Sequence, residues 1–386
     1  MVDSPAARED GERARPADGV AADPRGAEAG APAGIAVPSI ASDAGAGTAE
    51  GIAGSFTRVP LSSLRIETYT DFTLYLRLRN TDRYVLYRKA NLLFTERHRD
   101  KLRDNGIRDI YIADADRARY FRYLETRLDD IVSDETLPQK EASRLVYECT
   151  SSLVCEVIAK PWLKDNVKRA RGLVSSTVRH LLQGPERLRA MVSIMSSDYY
   201  TYTHCVNVCV YGLALGQRLG MSAGELHDLG FGLLLHDVGK SQIDPAILNK
   251  PAELTPEEWV VMQTHPTRGL EIMKSHDGLP AGTLCAIGQH HEKCSGKGYP
   301  RGLAGREIHI FAKIASLADV FDALTTNRPY RCALASFPAL RTMQSEMRED
   351  FHPLLFQEMI HLLGSREEPV RVPAEFTPAR RMASAA

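Results

Sequence analysis

The sequence predicts an α+β chain in which a small β-rich or α/β module precedes a larger all-α helical domain. Three observations carry this reading. Apolar residues alternate with a period of two from Phe72 to Leu78, the apolar period is helical almost everywhere beyond Leu137 and Pro138, and most of the twelve histidines fall between His204 and His309.

The elements follow in order. Residues 1–54 are rich in Ala, Gly, Pro and acidic side chains, with almost no aromatics. Such a segment buries too little apolar surface to offset its ordering entropy, so it reads as a disordered tail. Residues 55–134 form the expected module, with a regulatory or dimerisation role. Its hairpin pairs 72–79 with 84–87 across the turn-forming Asn80, Thr81 and Asp82. A helix capped by Thr95 stops at Gly106, a strand covers 109–112, and a helix over 117–132 closes the module. Residues 135–200 read as a helical linker region and 201–364 as the main helical domain, with helical patterns at 141–158, 167–182 and 204–219. The remainder, 365–386, has no apolar period and reads as a loose tail.

Composition excludes several function classes. With 44% hydrophobic and 25% charged residues, a net charge of -1 and a pI near 6.9, the chain is an ordinary globular protein. That balance argues against binding polymeric nucleic acid, which relies on many cations neutralising phosphates, but suits a small anionic ligand. Seven cysteines without a Cys-x-x-Cys pair indicate reduced thiols and a cytoplasmic chain. No run approaches the roughly 18 apolar residues of a membrane span, and residues 1–54 lack the apolar core of an export signal.

Chemistry concentrates in two doublets, His236-Asp237 and His290-His291. Imidazole and carboxylate hold iron, manganese or zinc in hydrolytic sites, and adjacent ligands diverge enough to serve neighbouring cations. The sequence contains its own control in His227-Asp228, nine residues before the favoured doublet. On a single helix nine steps of about 100° set the two doublets on opposite faces, so only one can point inward. His236-Asp237 follows an apolar run and precedes Gly239 and Lys240, which leaves His227 as a surface or packing residue.

These segments resemble a known family. Leu234-Leu235-His236-Asp237-Val238-Gly239-Lys240, His265-Pro266, the run His290-His291-Glu292 through Gly298-Tyr299-Pro300, Asp319 with Asp322, and Arg328 through Arg331 stand in the order and spacing of an HD-GYP domain. This is the bacterial cyclic di-GMP phosphodiesterase branch of the HD superfamily. The resemblance implies metal ligands at His204, His236, Asp237, His265, His290, His291 and Asp319. It further implies that Lys240 supports catalysis beside His236 and Asp237, and that Asp322, Arg328, Arg331, Tyr299 and Gly298 contact substrate. Two divalent ions, iron or manganese, follow from the ligand set, with Asp237 bridging them. Trinuclear relatives carry a glutamate one turn before the first histidine, where this chain has Tyr200.

The implied activity is hydrolysis of cyclic di-GMP by metal-activated water to linear pGpG, with GMP following if the linear dinucleotide is bound again. A catalytically weak or inactive cyclic di-GMP receptor, signalling through the N-terminal module or a partner, is the alternative. The ligand set discriminates, because a receptor need not keep it. The naming loop departs from the usual Asp-Gly-Ser-Gly to Ser295-Gly296-Lys297-Gly298, which bears on loop rigidity and on contact with a regulatory protein partner. A homodimer is the expected assembly.

Overall fold

The computed structural model describes residues 52–78, 81–195, 200–328 and 331–364. Of the tail expected at 1–54 all but residues 52–54, together with the tail expected at 365–386 and Pro329 and Tyr330 of the arginine segment, lies outside the described residues; Ile52 forms an antiparallel bridge with Tyr84. The expected architecture holds: a small antiparallel β region leads into a largely helical body.

The module contains β1 (Phe56–Pro60), β2 (Thr68–Thr70), β3 (Leu74–Arg77), β4 (Tyr84–Arg88), β5 (Leu92–Phe94) and β6 (Asp109–Ala113). A four-stranded sheet runs β1-β6-β3-β4, and β2 pairs with β5 in a separate ribbon. The predicted hairpin is the antiparallel β3–β4 pair, with a register shift at Leu74 and Tyr75. Alternation works as read: Phe72, Leu74, Ile110 and Ile112 are fully buried, each stabilising the fold by about 1.5–3 kcal/mol. Helix α1 (Glu96–Asp104) starts after Thr95 and ends before Gly106, whose φ of 73° a side chain would resist. The helix expected over 117–132 is two, α2 (Arg117–Glu125) and α3 (Leu128–Val132), separated at Thr126 and Arg127.

The helical body continues with α4 (Gln139–Ala159), α5 (Lys164–Leu182), α6 (Pro185–Ile194), α7 (Thr201–Arg218) and α8 (Ala223–Leu234). Then come α9 (Pro245–Leu248), α10 (Pro256–Met262), α11 (His265–Lys274), α12 (Ala281–Gln289), α13 (Ile310–Thr325), α14 (Ser336–Glu346) and α15 (Pro353–Leu363). Helix α7 is buried on every face from Thr203 to Gly216, as its unbroken apolar run requires, so it forms the axis of the body. Helices α4, α8 and α13 pack against it, and α12 packs on both α8 and α13. One contiguous apolar core joins both parts, from Phe72 and Leu102 to Leu145, Leu213 and Leu317. No described helix is long and apolar enough to cross a membrane, and all seven cysteines are free.

One buried group makes this core sensitive to acid. His180 of α5 is fully buried, contacts the Ser143 hydroxyl at 2.8 Å and receives a hydrogen bond from Arg187. Burial, then the Arg187 charge, lowers its pKa to about 4. The unfolded chain protonates this ring below about pH 6.5 while the native one resists, so its contribution is complete above that pH and lost as pH falls towards 4. Urea titrations of wild type and His180→Gln should diverge across this window by up to about 1.4 kcal/mol per pH unit. Parallel pH profiles would refute the assignment.

Candidate metal centre

Helix ends build the site. His204 stands in the first turn of α7, and His236 and Asp237 occupy the turn after α8. Lys240 lies in the 3-10 turn Val238–Gln242, His265 opens α11, His290 and His291 follow α12, and Asp319 projects from the middle of α13. All seven sequence-predicted ligands therefore come together. Six of them are less than a tenth exposed, and His291 is half-buried.

The ligand atoms form two separate triads: His265, His290 and His291 in one, His204, His236 and Asp319 in the other. Asp237 stands between them. Its Oδ2 lies 3.5 Å from His236 Nε2 and 3.8 Å from His204 Nε2, whereas its Oδ1 lies 3.3 Å from His265 Nε2 and 3.8 Å from His290 Nε2. Each oxygen thus faces a different triad.

Hydrogen bonds behind the rings fix their tautomers. His236, His265 and His290 each donate Nδ1–H to the carbonyl three residues earlier, on Leu233, Met262 and Ile287, at 2.7–2.8 Å. A carbonyl only accepts, so each Nδ1 carries the proton and each Nε2 directs a lone pair inward. Burial pushes the imidazoles of His236 and His290 below their ordinary value, and that of His291 down to about 3, which keeps them neutral. Yet His265 Nε2 and His290 Nε2 stand 3.1 Å apart. Two facing lone pairs at that distance repel unless a cation lies between them.

The donor set fits a divalent metal on a second count. His236 Nε2 and Asp237 Oδ1 are buried without a hydrogen-bond partner, an arrangement that costs about 1–3 kcal/mol per group and that a cation would satisfy. Burial opposes the charge on Asp237, but Lys240, 2.5 Å from Oδ2, holds the carboxyl well below its usual range. Asp319 is also lowered against the cost of burial, chiefly by its hydrogen bond with His204. Cys205 shares the neighbourhood of His236 and Asp237, a residue that sequence reasoning passed over.

Other expected site residues lie differently. Asp322 is 1% exposed and sits behind His204, accepting from its Nδ1 at 2.7 Å and from Asn207 Nδ2 at 2.8 Å. That placement corrects the expectation of substrate contact, because a buried carboxylate spent on a histidine and an amide has no face for a ligand. Helical spacing was the available signal: Asp322 follows Asp319 by three residues, as Asn207 follows His204. Asp322→Asn should cost about 10- to 100-fold in metal affinity, the range for partners behind a ligand, measurable by anaerobic Mn(II) titration. Unchanged affinity would remove Asp322 from the site.

Tyr299 stacks on His291, with ring centroids 4.6 Å apart. Gly298 is closely packed in the loop: a Cβ there would lie 2.4 Å from Lys293 N and 2.5 Å from His291 O. Glu292, 2% exposed, accepts from the amides of Arg301 and Leu303 at 2.8 Å and so ties down the loop. Where the family aspartate is missing, Lys293 and Ser295 both bind Asp350 at 2.7 Å. The Arg331 guanidinium donates to the Ala323 carbonyl in the last turn of α13, and the backbones of Arg328 and Arg331 bond each other. Tyr200 is 56% exposed at the N-cap of α7. His227 lies on α8 with its Nε2 3.2 Å from the Arg171 carbonyl; His236 lies beyond the helix end, so the two doublets do not share one helix, although His227 does stand apart from the site.

Residues 160–355 match the HD domain family. A cyclic di-GMP phosphodiesterase of Pseudomonas aeruginosa is 34% identical over 195 residues, which cover 50% of this chain and 47% of the relative. A 3'3'-cGAMP-specific phosphodiesterase of Vibrio cholerae is 38% identical over 158 residues, 41% of this chain and 34% of the relative. A cyclic di-GMP phosphodiesterase of Thermotoga maritima is 35% identical over 167 residues, 43% of this chain and 45% of the relative. The chain spans about half the length of these relatives or less. Among solved structures, an HDG"Y"P protein from Bdellovibrio bacteriovorus shares the fold at a TM-score of 0.58 and 21% identity, over 80% of this chain and all of that one. With half of its length matched and the buried His/Asp set in place, the chain belongs to the HD domain family, and its motifs resemble those of the HD-GYP branch.

Proposed function

We propose that this chain hydrolyses cyclic di-GMP to linear pGpG at a centre of two divalent metals, iron or manganese. The observation that carries the reading is the convergence of bare imidazole nitrogens, above all the 3.1 Å approach of His265 Nε2 to His290 Nε2. His204, His236, Asp319 and Asp237 Oδ2 would hold one cation; His265, His290, His291 and Asp237 Oδ1 would hold the other. Such cations supply Lewis acidity for activating water towards a phosphodiester. The oxygen-and-nitrogen donor set suits iron or manganese.

The chain's own residues then divide the work. Lys240, held against Asp237 and only 13% exposed at its side chain, supplies a positive charge where a phosphoryl oxygen gains negative charge. Tyr299, stacked on His291, closes one side of the centre and limits water there. Arg328, beyond the end of α13, is the side chain proposed to grip a phosphate or guanine edge. The substrate rests on the two cyclic di-GMP relatives; the cGAMP-specific relative makes 3'3'-cGAMP the competitor to test.

The test is turnover of both cyclic dinucleotides by Mn(II)- or Fe(II)-loaded protein prepared anaerobically, with products separated by chromatography. Release of pGpG from cyclic di-GMP at a higher kcat/KM than for 3'3'-cGAMP is expected. Preference for 3'3'-cGAMP would reassign the substrate, and no hydrolysis of either would end the enzymatic reading. Arg328→Ala should raise KM about 10- to 100-fold, corresponding to a lost charge-assisted bond of roughly 1.5–3 kcal/mol. Arg331→Ala should raise KM by a similar factor. Unchanged KM in both variants would place these arginines outside the substrate site.

A further inference from the structure

We infer that Tyr147, on a helix that begins before the matched HD residues, is a positioning residue for the metal centre. A chain of three hydrogen bonds connects it to His204. The Tyr147 hydroxyl donates to Asn207 Oδ1 at 2.9 Å, Asn207 Nδ2 donates to Asp322 Oδ1 at 2.8 Å, and Asp322 Oδ2 accepts from His204 Nδ1 at 2.7 Å. All four residues are less than a tenth exposed.

The direction of the chain follows from donor chemistry. A carboxylate only accepts, so Asp322 takes a proton bond from His204 Nδ1 and another from the Asn207 amide nitrogen. This turns the Asn207 amide oxygen away from Asp322, where it needs a donor, and the Tyr147 hydroxyl is that donor. Each link therefore fixes the next. The end result is a His204 ring oriented with Nε2 towards the centre, 3.1 Å from Asp319 Oδ1 and 3.8 Å from Asp237 Oδ2. Without the hydroxyl, the amide loses one partner that sets its orientation, the donor to Asp322 is fixed less tightly, and the His204 ring is held less firmly.

The position of Tyr147 gives the relay its interest. It belongs to α4, which packs on α7 of the HD region and on α2 of the N-terminal module, so the module's packing surface and the metal centre share one helix. The HD match begins at residue 160, after α4 has ended. A part of the centre's support is thus contributed from outside the matched domain.

This inference rests on the metal-centre reading, and the experiment separates the two. Mn(II) affinity is measured on the full chain under anaerobic conditions, by titration with magnetic-resonance detection of free Mn(II), for wild type, Tyr147→Phe, Asp322→Asn and the double variant. Tyr147→Phe keeps the ring, and its circular dichroism and melting without metal check folding. Its affinity should fall about 3- to 10-fold, less than for a partner in direct contact with a ligand. The double variant should bind no more weakly than Asp322→Asn alone, because the relay is already broken. Wild-type affinity in Tyr147→Phe, or an additive loss in the double variant, would overturn the relay while leaving the metal centre intact. A wild-type chain that binds no Mn(II) would overturn both.

Discussion

Asp237→Ala should abolish hydrolysis and release metal, with a fall in turnover of well over 100-fold. The two oxygens of Asp237 face different triads, so its loss would remove a ligand from each of the two proposed cations at once and take away an anion that lies between them. The expected loss exceeds the 10- to 100-fold typical of a partner standing behind a ligand. Lys240 would also lose its counter-charge at 2.5 Å and sit beside the cations unscreened. His236→Ala should behave similarly, while His227→Ala should keep near-wild-type metal content and rate, since its ring faces the Arg171 carbonyl and Asp228 rather than the centre. Elemental analysis and initial rates on the same preparations decide it. A metal-replete, active Asp237→Ala protein would remove the bridging carboxylate from the account.

Gly239→Ala should be nearly as damaging although it removes no ligand. A Cβ at this position would lie 1.9 Å from the His265 carbonyl oxygen and 2.5 Å from Gly269 N, both backbone atoms of α11. Backbone cannot rotate out of the way, so either the turn carrying His236 and Asp237 or the start of α11 must move. His265 opens that helix and its Nε2 faces Asp237 at 3.3 Å, so a shift of even 1 Å pulls the two halves of the centre apart. Overpacking of this kind costs about 1–3 kcal/mol in stability, occasionally more. We expect Gly239→Ala to lower the melting temperature and to lose at least one metal per chain. Wild-type metal content would show that α11 accommodates the methyl group.

The two doublets were legible by themselves, and the full set of seven candidate ligands was legible through the resemblance of their segments to the HD-GYP pattern, segments that the fold gathers in one place. The module's hairpin and the cap at Thr95 were legible as local patterns. The strands β1, β2 and β5 were not: three to five residues give too little alternation, and their partners lie far along the chain. The break between α2 and α3 carries no Gly or Pro to mark it. Roles set by long-range contact were hidden too. Asp322 meets His204 across 118 positions, Glu292 is tied to amides of its own loop, and the need for glycine at Gly239 comes from α11 passing against it. His227 was set aside correctly on a wrong premise, since α8 ends before His236.

The number of metals tests the account most directly. Tyr200 is exposed at the N-cap of α7, Glu292 is spent on two backbone amides and Asp322 on His204 and Asn207, so none of them offers a carboxylate to a third cation. Elemental analysis of anaerobically prepared full-length protein, read beside its cyclic di-GMP turnover before and after chelation, should give two iron or manganese ions per chain and activity that disappears and returns with them. A single ion at full activity, or three held tightly through gel filtration, would contradict the two-triad centre bridged by Asp237.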